Sequence, residues 1–195
     1  TSLYDMTDVQ SQAPYRLVVN LIDAIGAVTP ARAEAIRAAR AAYDALPATQ
    51  RAKVTNYGEL QAAERKLRQQ LERIDAVVKQ IDGIGEVSLA RGKAIRAARK
   101  AYEALSAAEQ PYVTNYATLT RAETKLTQLQ AANEVMDLIE AIGTVNSQSG
   151  SAIRAARKAY NALSGTEKAL VTNYATLTAA ERAFKALQQA DEPTV

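Results

Sequence analysis

The sequence predicts an all-α chain: an elongated tandem array of three three-helix bundles, joined by contiguous shared helices. Three observations carry that expectation. Ala-Ile-Arg-Ala-Ala-Arg at 35–40 returns at 94–99 and 152–157, each time followed by a tyrosine (Tyr43, Tyr102, Tyr160) and a leucine (Leu46, Leu105, Leu163). Val-Thr-Asn-Tyr comes after it at 54–57, 113–116 and 171–174. The copies lie 59 residues apart from Ile36 to Ile95 and 58 apart from Ile95 to Ile153, and a near-constant period of this length marks an array of similar units. The third observation is an absence at the joints, where neither proline nor a mid-segment glycine interrupts the chain from Leu60 to Ile81. The expected organisation is a lead-in at 1–13, repeats at 14–72, 73–130 and 131–192, and a tail at 193–195.

Residues 1–13 show no sustained apolar period, and Pro14 suits the first turn of a helix, where its missing N–H costs nothing. The first helix of repeat 1 carries Tyr15, Val18, Val19, Ile22 and Ile25 at spacings that mark one apolar face. The same positions are Ile74, Val77, Val78, Ile81 and Ile84 in repeat 2, and Ala132, Val135, Met136, Ile139 and Ile142 in repeat 3. Gly26, Gly85 and Gly143 are expected to end these helices, since glycine accepts the left-handed conformation after a helix cheaply. Thr29, Ser88 and Asn146 come next as N-cap types, and Pro30 stands at a first helical position.

The second helix should bury Ile36, Ala39, Tyr43, Leu46 and their equivalents. Ser106-x-x-Glu109 and Ser164-x-x-Glu167 read as capping boxes that open a short extra turn. Pro47-x-x-Gln50 is a weaker version in repeat 1, and Pro111 interrupts the turn in repeat 2. For the third helix, Asn56 or a residue near Gln61 could serve as the cap, with Thr120-x-x-Glu123 and Thr178-x-x-Glu181 favouring the later start. Apolar residues at 60, 67, 74 and 81, with 71 and 78 between, keep a near-heptad seam across the first joint. The third helix of repeat 1 is therefore expected to continue as the first of repeat 2, over roughly 37 Å at 1.5 Å per residue. Leu119 to Ile142 repeats the pattern with one residue fewer, which should turn the next unit by roughly 100° about the helix axis. A stiff, spectrin-like rod is the expected result.

The 195 residues include no cysteine and no histidine. That excludes disulfides, thiolate metal sites and a cysteine nucleophile, and it removes any Ser-His-Asp arrangement. No metal and no cofactor is expected, and no Gly-rich phosphate loop, EF-hand loop or zinc spacing occurs. The net charge of +3, from 24 basic against 21 acidic residues, is far from the dense basic patch of a nucleic-acid binder. No apolar run reaches bilayer-spanning length. The start at Thr1 reads as a processed protein or a piece of a longer one. A glycosidase pair needs two carboxylates facing one cleft; a thin bundle array offers none, so the chain is expected not to be an enzyme.

Two sets of residues are candidates for contact with a ligand. Arg37 and Arg40, Arg96 and Arg99, and Arg154 and Arg157 form i,i+3 pairs beside the buried stripe, extended by Lys100 and Lys158. They could hold an anionic polymer such as a cell-wall glycopolymer. The plainer alternative has them reach Glu64, Glu123 and Glu181 or lie along alanine-rich surface. The tyrosines Tyr43, Tyr102, Tyr160 and Tyr57, Tyr116, Tyr174 could stack on sugars; helical spacing argues instead for half-buried rings whose hydroxyls bond a nearby Asn or Thr.

Leu-Ile-Glu-Ala-Ile-Gly-Thr-Val at 138–145, Ala-Ile-Arg-Ala-Ala-Arg-Lys-Ala-Tyr-Asn-Ala-Leu at 152–163, Glu-Lys-Ala-Leu-Val-Thr-Asn-Tyr at 167–174 and Ala-Glu at 180–181 resemble a known repeat class. They are similar to the roughly 60-residue helical repeats of modular extracellular proteins of Gram-positive bacteria, where such repeats lie beside S-layer-homology, immunoglobulin-like or carbohydrate-active modules. The resemblance covers about residues 15 to 190. It implies an extracellular, cell-surface location and a connecting or adhesive role, with neighbouring modules of a longer chain and a cell-wall polymer or glycan as partners; it brings no catalytic residues. Pro47 and Pro111 depart from its pattern. The expectation is a monomeric, non-enzymatic stalk or spacer, with an anionic-polymer binder as the alternative.

Overall fold

The computed structural model describes residues 13–193; the remainder of the expected lead-in and tail lies outside them. The regular structure among the described residues is entirely helical. It runs α1 (Pro14–Asp23), α2 (Ala33–Asp44), α3 (Ala48–Arg51), α4 (Tyr57–Asp82), α5 (Gly92–Ala104), α6 (Tyr116–Ile142), α7 (Gly150–Asn161), α8 (Gly165–Ala169) and α9 (Tyr174–Ala190). Short 3-10 turns stand at Pro30–Arg32, Leu89–Arg91 and Gln110–Tyr112. By contacts the chain forms two compact units. One runs to Gly83 and takes in Ala97–Tyr116; the other comprises Ile84–Arg96 and the chain from Ala117 onward. The division passes through α5, so the middle repeat contributes residues to both.

In the first unit α1 packs on α2, and both pack on α4. Their shared core holds Val18, Ile22 and Ile25 from the α1 side, Ile36 and Ala39 from α2, and Leu60, Ala63 and Leu67 from α4. Ala39 is fully buried, and its small side chain lets the helices approach closely. Each large aliphatic buried here contributes about 1.5–3 kcal/mol. In the second unit α7 packs on α9. Val135, Ile139, Ile142, Ile153, Ala156, Leu177 and Ala180 form its core, with Tyr160 and Phe184 at the margin.

The long helices α4 and α6 run 26 and 27 residues, each crossing an expected repeat boundary without a break. They bury themselves differently. The buried residues of α4 are Leu60, Ala63, Leu67, Gln70, Ile74, Val77 and Ile81, an unbroken alternation of three and four. Those of α6 are Leu119, Ala122 and Leu126, then Ala132, Val135, Ile139 and Ile142. The six-residue step from Leu126 to Ala132 replaces the seven from Leu67 to Ile74. At roughly 100° per residue, the buried face of α6 is displaced about 100° around its own axis there.

Gly26, Gly85 and Gly143 have φ of 63°, 64° and 59°, the left-handed conformation expected after α1, α4 and α6. The caps of the second helices differ from expectation. Thr29 and Ser88 have extended backbones but make no side-chain cap bond. Main-chain bonds of the 3-10 turns take over, Arg32 N–H to Thr29 O at 2.9 Å and Arg91 N–H to Ser88 O at 3.0 Å. In repeat 3 Asn146 Oδ1 accepts from Gln148 N–H at 2.8 Å, and Ser149 Oγ accepts from Asn146 N–H at 2.9 Å. The third helices begin at Tyr57, Tyr116 and Tyr174, a turn earlier than the favoured reading. Thr120 and Thr178 bond back to the carbonyls of Ala117 and Ala175 and so sit inside their helices. Both predicted capping boxes close: Ser164 with Glu167 opens α8. Ser106 Oγ accepts from Glu109 N–H at 3.2 Å, while Glu109 Oε1 accepts from Ser106 N–H at 3.4 Å. Pro111 leaves repeat 2 a 3-10 turn where repeats 1 and 3 have α3 and α8.

Candidate functional site

The arginine and tyrosine series meet. Tyr43 at the end of α2 stacks on Tyr57 at the start of α4, with centroids 4.2 Å apart and planes 13° apart. Tyr102 with Tyr116 and Tyr160 with Tyr174 repeat the arrangement at 4.4 Å. In each copy one guanidinium lies against both rings. Arg40 is 5.5 and 5.2 Å from the two centroids, Arg99 5.4 and 5.3 Å, and Arg157 5.5 and 5.3 Å. Nearly equidistant from the two centroids, the guanidinium sits at the side of the stack, within reach of a tyrosine hydroxyl.

Arg40 forks across Glu64, its Nε donating to Oε2 at 3.0 Å and its Nη2 to Oε1, while Nη1 donates to Tyr57 Oη at 3.3 Å. Arg157 does the same with Glu181, Nε to Oε2 at 2.9 Å, and with Tyr174 Oη at 3.4 Å. Arg99 donates to Tyr116 Oη at 3.4 Å. The glutamate and tyrosine hydrogen bonds raise the pKa of Arg40 and of Arg157 above the ordinary guanidinium value. The Arg157 hydrogen bonds hold the Glu181 carboxyl below its usual range against the opposing effect of burial. The tyrosine hydroxyls therefore bond arginine, not the Asn or Thr expected from the sequence.

The asparagines are otherwise engaged. Asn56 Nδ2 donates to Val19 O and to Asp23 Oδ1, both at 2.9 Å. Asn115 donates to Val78 O at 2.9 Å and Asp82 Oδ1 at 2.8 Å, and Asn173 to Met136 O at 3.0 Å. Each ties the entry of a third helix to the first helix of its repeat. Sequence reasoning missed this latch, although the invariance of the Asn within the three Val-Thr-Asn-Tyr copies was its signal.

The remaining candidate cations divide differently. Arg37 is exposed and pairs with Glu34 one turn back. Arg96, Lys100, Arg154 and Lys158 are exposed and make no ion pair among the described residues. A groove of about 470 Å³ between α2 and α4 includes Arg37, Arg40 and Arg68. It also includes Glu64, Glu72 and Asp75, against walls from Ile36, Leu67 and Leu71. Three cations against three carboxylates leave it without net charge to draw an anion.

One further carboxylate is bound by a neighbour. Glu109 is 4% exposed and accepts from Arg73 Nε at 3.2 Å and Nη2 at 3.1 Å. Burial pushes its carboxyl up, but the bonds from Arg73 and Ser106 together outweigh burial and set it below the usual range. Among the described residues no group of three or more His, Cys, Asp or Glu side chains could hold a metal ion, and no helix is long and apolar enough to cross a membrane. No family model, curated protein or solved structure matches the chain.

Proposed function

We propose that the chain is a spacer: three three-helix bundles in tandem, threaded by α4 and α6 into a stiff rod that holds neighbouring modules apart on a bacterial cell surface. The observation that carries this reading is the unbroken run of α4 and α6 through both expected repeat boundaries. A helix without a proline or an internal break resists bending, so the joints it makes are stiff where a loop would hinge. Coupled repeats stabilise one another as in other linear arrays. The resemblance to Gram-positive surface repeats supports the location. The carboxylates Glu64, Glu109 and Glu181 are each gripped by an arginine, committed to structure rather than poised for acid–base chemistry. Small-angle scattering tests the reading: a rod-like cross-section plateau is expected, whereas a compact globule or a flexible string of beads overturns it.

A second reading is a binder of anionic wall polymer, favoured by the exposed Arg96, Lys100, Arg154 and Lys158, which no carboxylate pairs among the described residues. Pull-down on purified cell walls tests it. Retention that falls when Arg96 and Arg154 become glutamine supports this version, and unchanged retention removes it.

A further inference from the structure

The pocket lined by Tyr15, Arg16, Val19, Asn20, Lys53 and Thr55, about 520 Å³, differs from the groove beside α2 in one decisive respect. Among the described residues it gathers two cations and no carboxylate. Arg16 from α1 and Lys53 from the loop after α3 each lie 5.6 Å from the centroid of the Tyr15 ring. Neither makes an ion pair among the described residues. Asp23, the one acidic residue of α1, accepts a hydrogen bond from Asn56.

The pocket is held by the chain around it. Asn56 bonds Val19 O, a main-chain group of a pocket residue, at 2.9 Å, which fixes the 53–56 loop against α1 before any ligand arrives. A site assembled in advance spends little binding energy on ordering. The pocket belongs to repeat 1 alone. In repeat 2 Ile74, Asp75 and Tyr112 take the places of Tyr15, Arg16 and Lys53; in repeat 3 Ala132, Asn133 and Leu170 do. The latch recurs three times while the two cations occur once, so the latch does not require them; Tyr15 also packs against the core.

We propose that this pocket binds a small anionic saccharide unit, a sugar ring bearing a carboxylate. Its volume lies within the usual range for small-ligand sites. Arg16 offers a planar fork that matches a carboxylate, and Lys53 offers a second, mobile charge. Asn20 and Thr55 supply the neutral donors and acceptors that sugar hydroxyls need. Tyr15 gives the two cations a common seat.

The test is an NMR titration of the full chain with galacturonic acid, galactose and inorganic phosphate in parallel. The expected result is saturable shifts of Tyr15, Arg16, Asn20, Lys53 and Thr55 with galacturonic acid and none with galactose. Arg16→Gln and Lys53→Gln should each weaken binding about tenfold or more, as loss of a charge-assisted hydrogen bond does. Both side chains are exposed, so the variants should fold, and an unchanged melting profile checks that. Arg96→Gln with Arg154→Gln should leave the titration unaltered, which separates this site from the polymer reading. Equal binding of galactose, binding of phosphate without galacturonic acid, or the absence of saturable shifts overturns the proposal.

Discussion

Arg157 reaches from α7 to grip both carboxylate oxygens of Glu181 on α9, 24 residues away, beside the ring of Tyr174. Arg40 and Glu64 repeat the bond between α2 and α4. About two-thirds or more of each of these side chains is withdrawn from solvent, so solvent screens the pairs less than open-surface ones. Glu181→Gln should lower stability by about 1–2 kcal/mol, between the usual values for surface pairs and for charge-assisted hydrogen bonds. Arg37→Gln, at an exposed one-turn pair, should stay within about 0.5 kcal/mol. Urea denaturation of the two variants checks the contrast, and equal effects would refute it.

The pH dependence has a definite sign. Glu181 and Glu109 both sit below the usual carboxylate range in the folded chain. A carboxyl depressed on folding contributes stability above its unfolded pKa, about 4.3, and loses it as pH falls through the lower folded value. With no histidine in the chain, the melting temperature should change little between about pH 8 and 5 and fall as the pH drops further. Glu181→Gln should flatten the acid limb, as melting curves across pH will show.

Gly150 and Gly92 occupy equivalent places at the start of α7 and α5, yet alanine should act oppositely at them. A Cβ on Gly150 would come within 2.7 Å of Phe184 Cζ, a ring atom of the packed margin. On Gly92 the nearest atom is the tip of Arg96 at 3.0 Å, which can swing aside. Gly150→Ala should cost about 1–3 kcal/mol by overpacking, and Phe184→Leu should recover most of it, since Ala33 and Leu67 hold the same two places in repeat 1. Gly92→Ala should be neutral or stabilising by up to about 1 kcal/mol. Thermal melts of the three variants check this.

The asparagine latch separates shape from chemistry. Asn56→Asp keeps the size but turns a donor toward Val19 O and Asp23 into an acceptor carrying charge. It should cost more than Asn56→Ala, which removes two hydrogen bonds at about 1 kcal/mol each. Amide exchange at the start of α4 should quicken in both variants, and more in the aspartate.

How much of this was legible before the structure depends on whether the signal was local or between helices. The helix ends at Gly26, Gly85 and Gly143 were readable because only a left-handed residue explains glycine there. The continuity of α4 and α6 followed from apolar spacing without a breaker. The third helix starts after Asn56, the earlier of the two caps the sequence allows, but the Asn56 side chain bonds another helix instead of capping its own; one sequence does not say which carbonyl lies within reach. The meeting of Tyr43 with Tyr57, and of Lys53 with Arg16 on Tyr15, was hidden for the same reason. Each joins residues on different elements, and helical period reports only one element at a time.

Gln70 gives α4 a property that its regular seam alone would lack. Threes and fours in strict alternation look alike after a shift of one heptad, so such a helix can slide along its neighbours and find similar contacts again. Gln70 is the single polar residue in that seam, and its amide donates to Val28 O at 2.9 Å; a slipped helix would strand it among aliphatics. α6 has Leu129 at the equivalent place and needs no such marker, because its displaced face already makes every shifted alignment a misfit. Gln70→Leu should thus leave the melting temperature level or higher while α4 alone yields at lower force in single-molecule pulling.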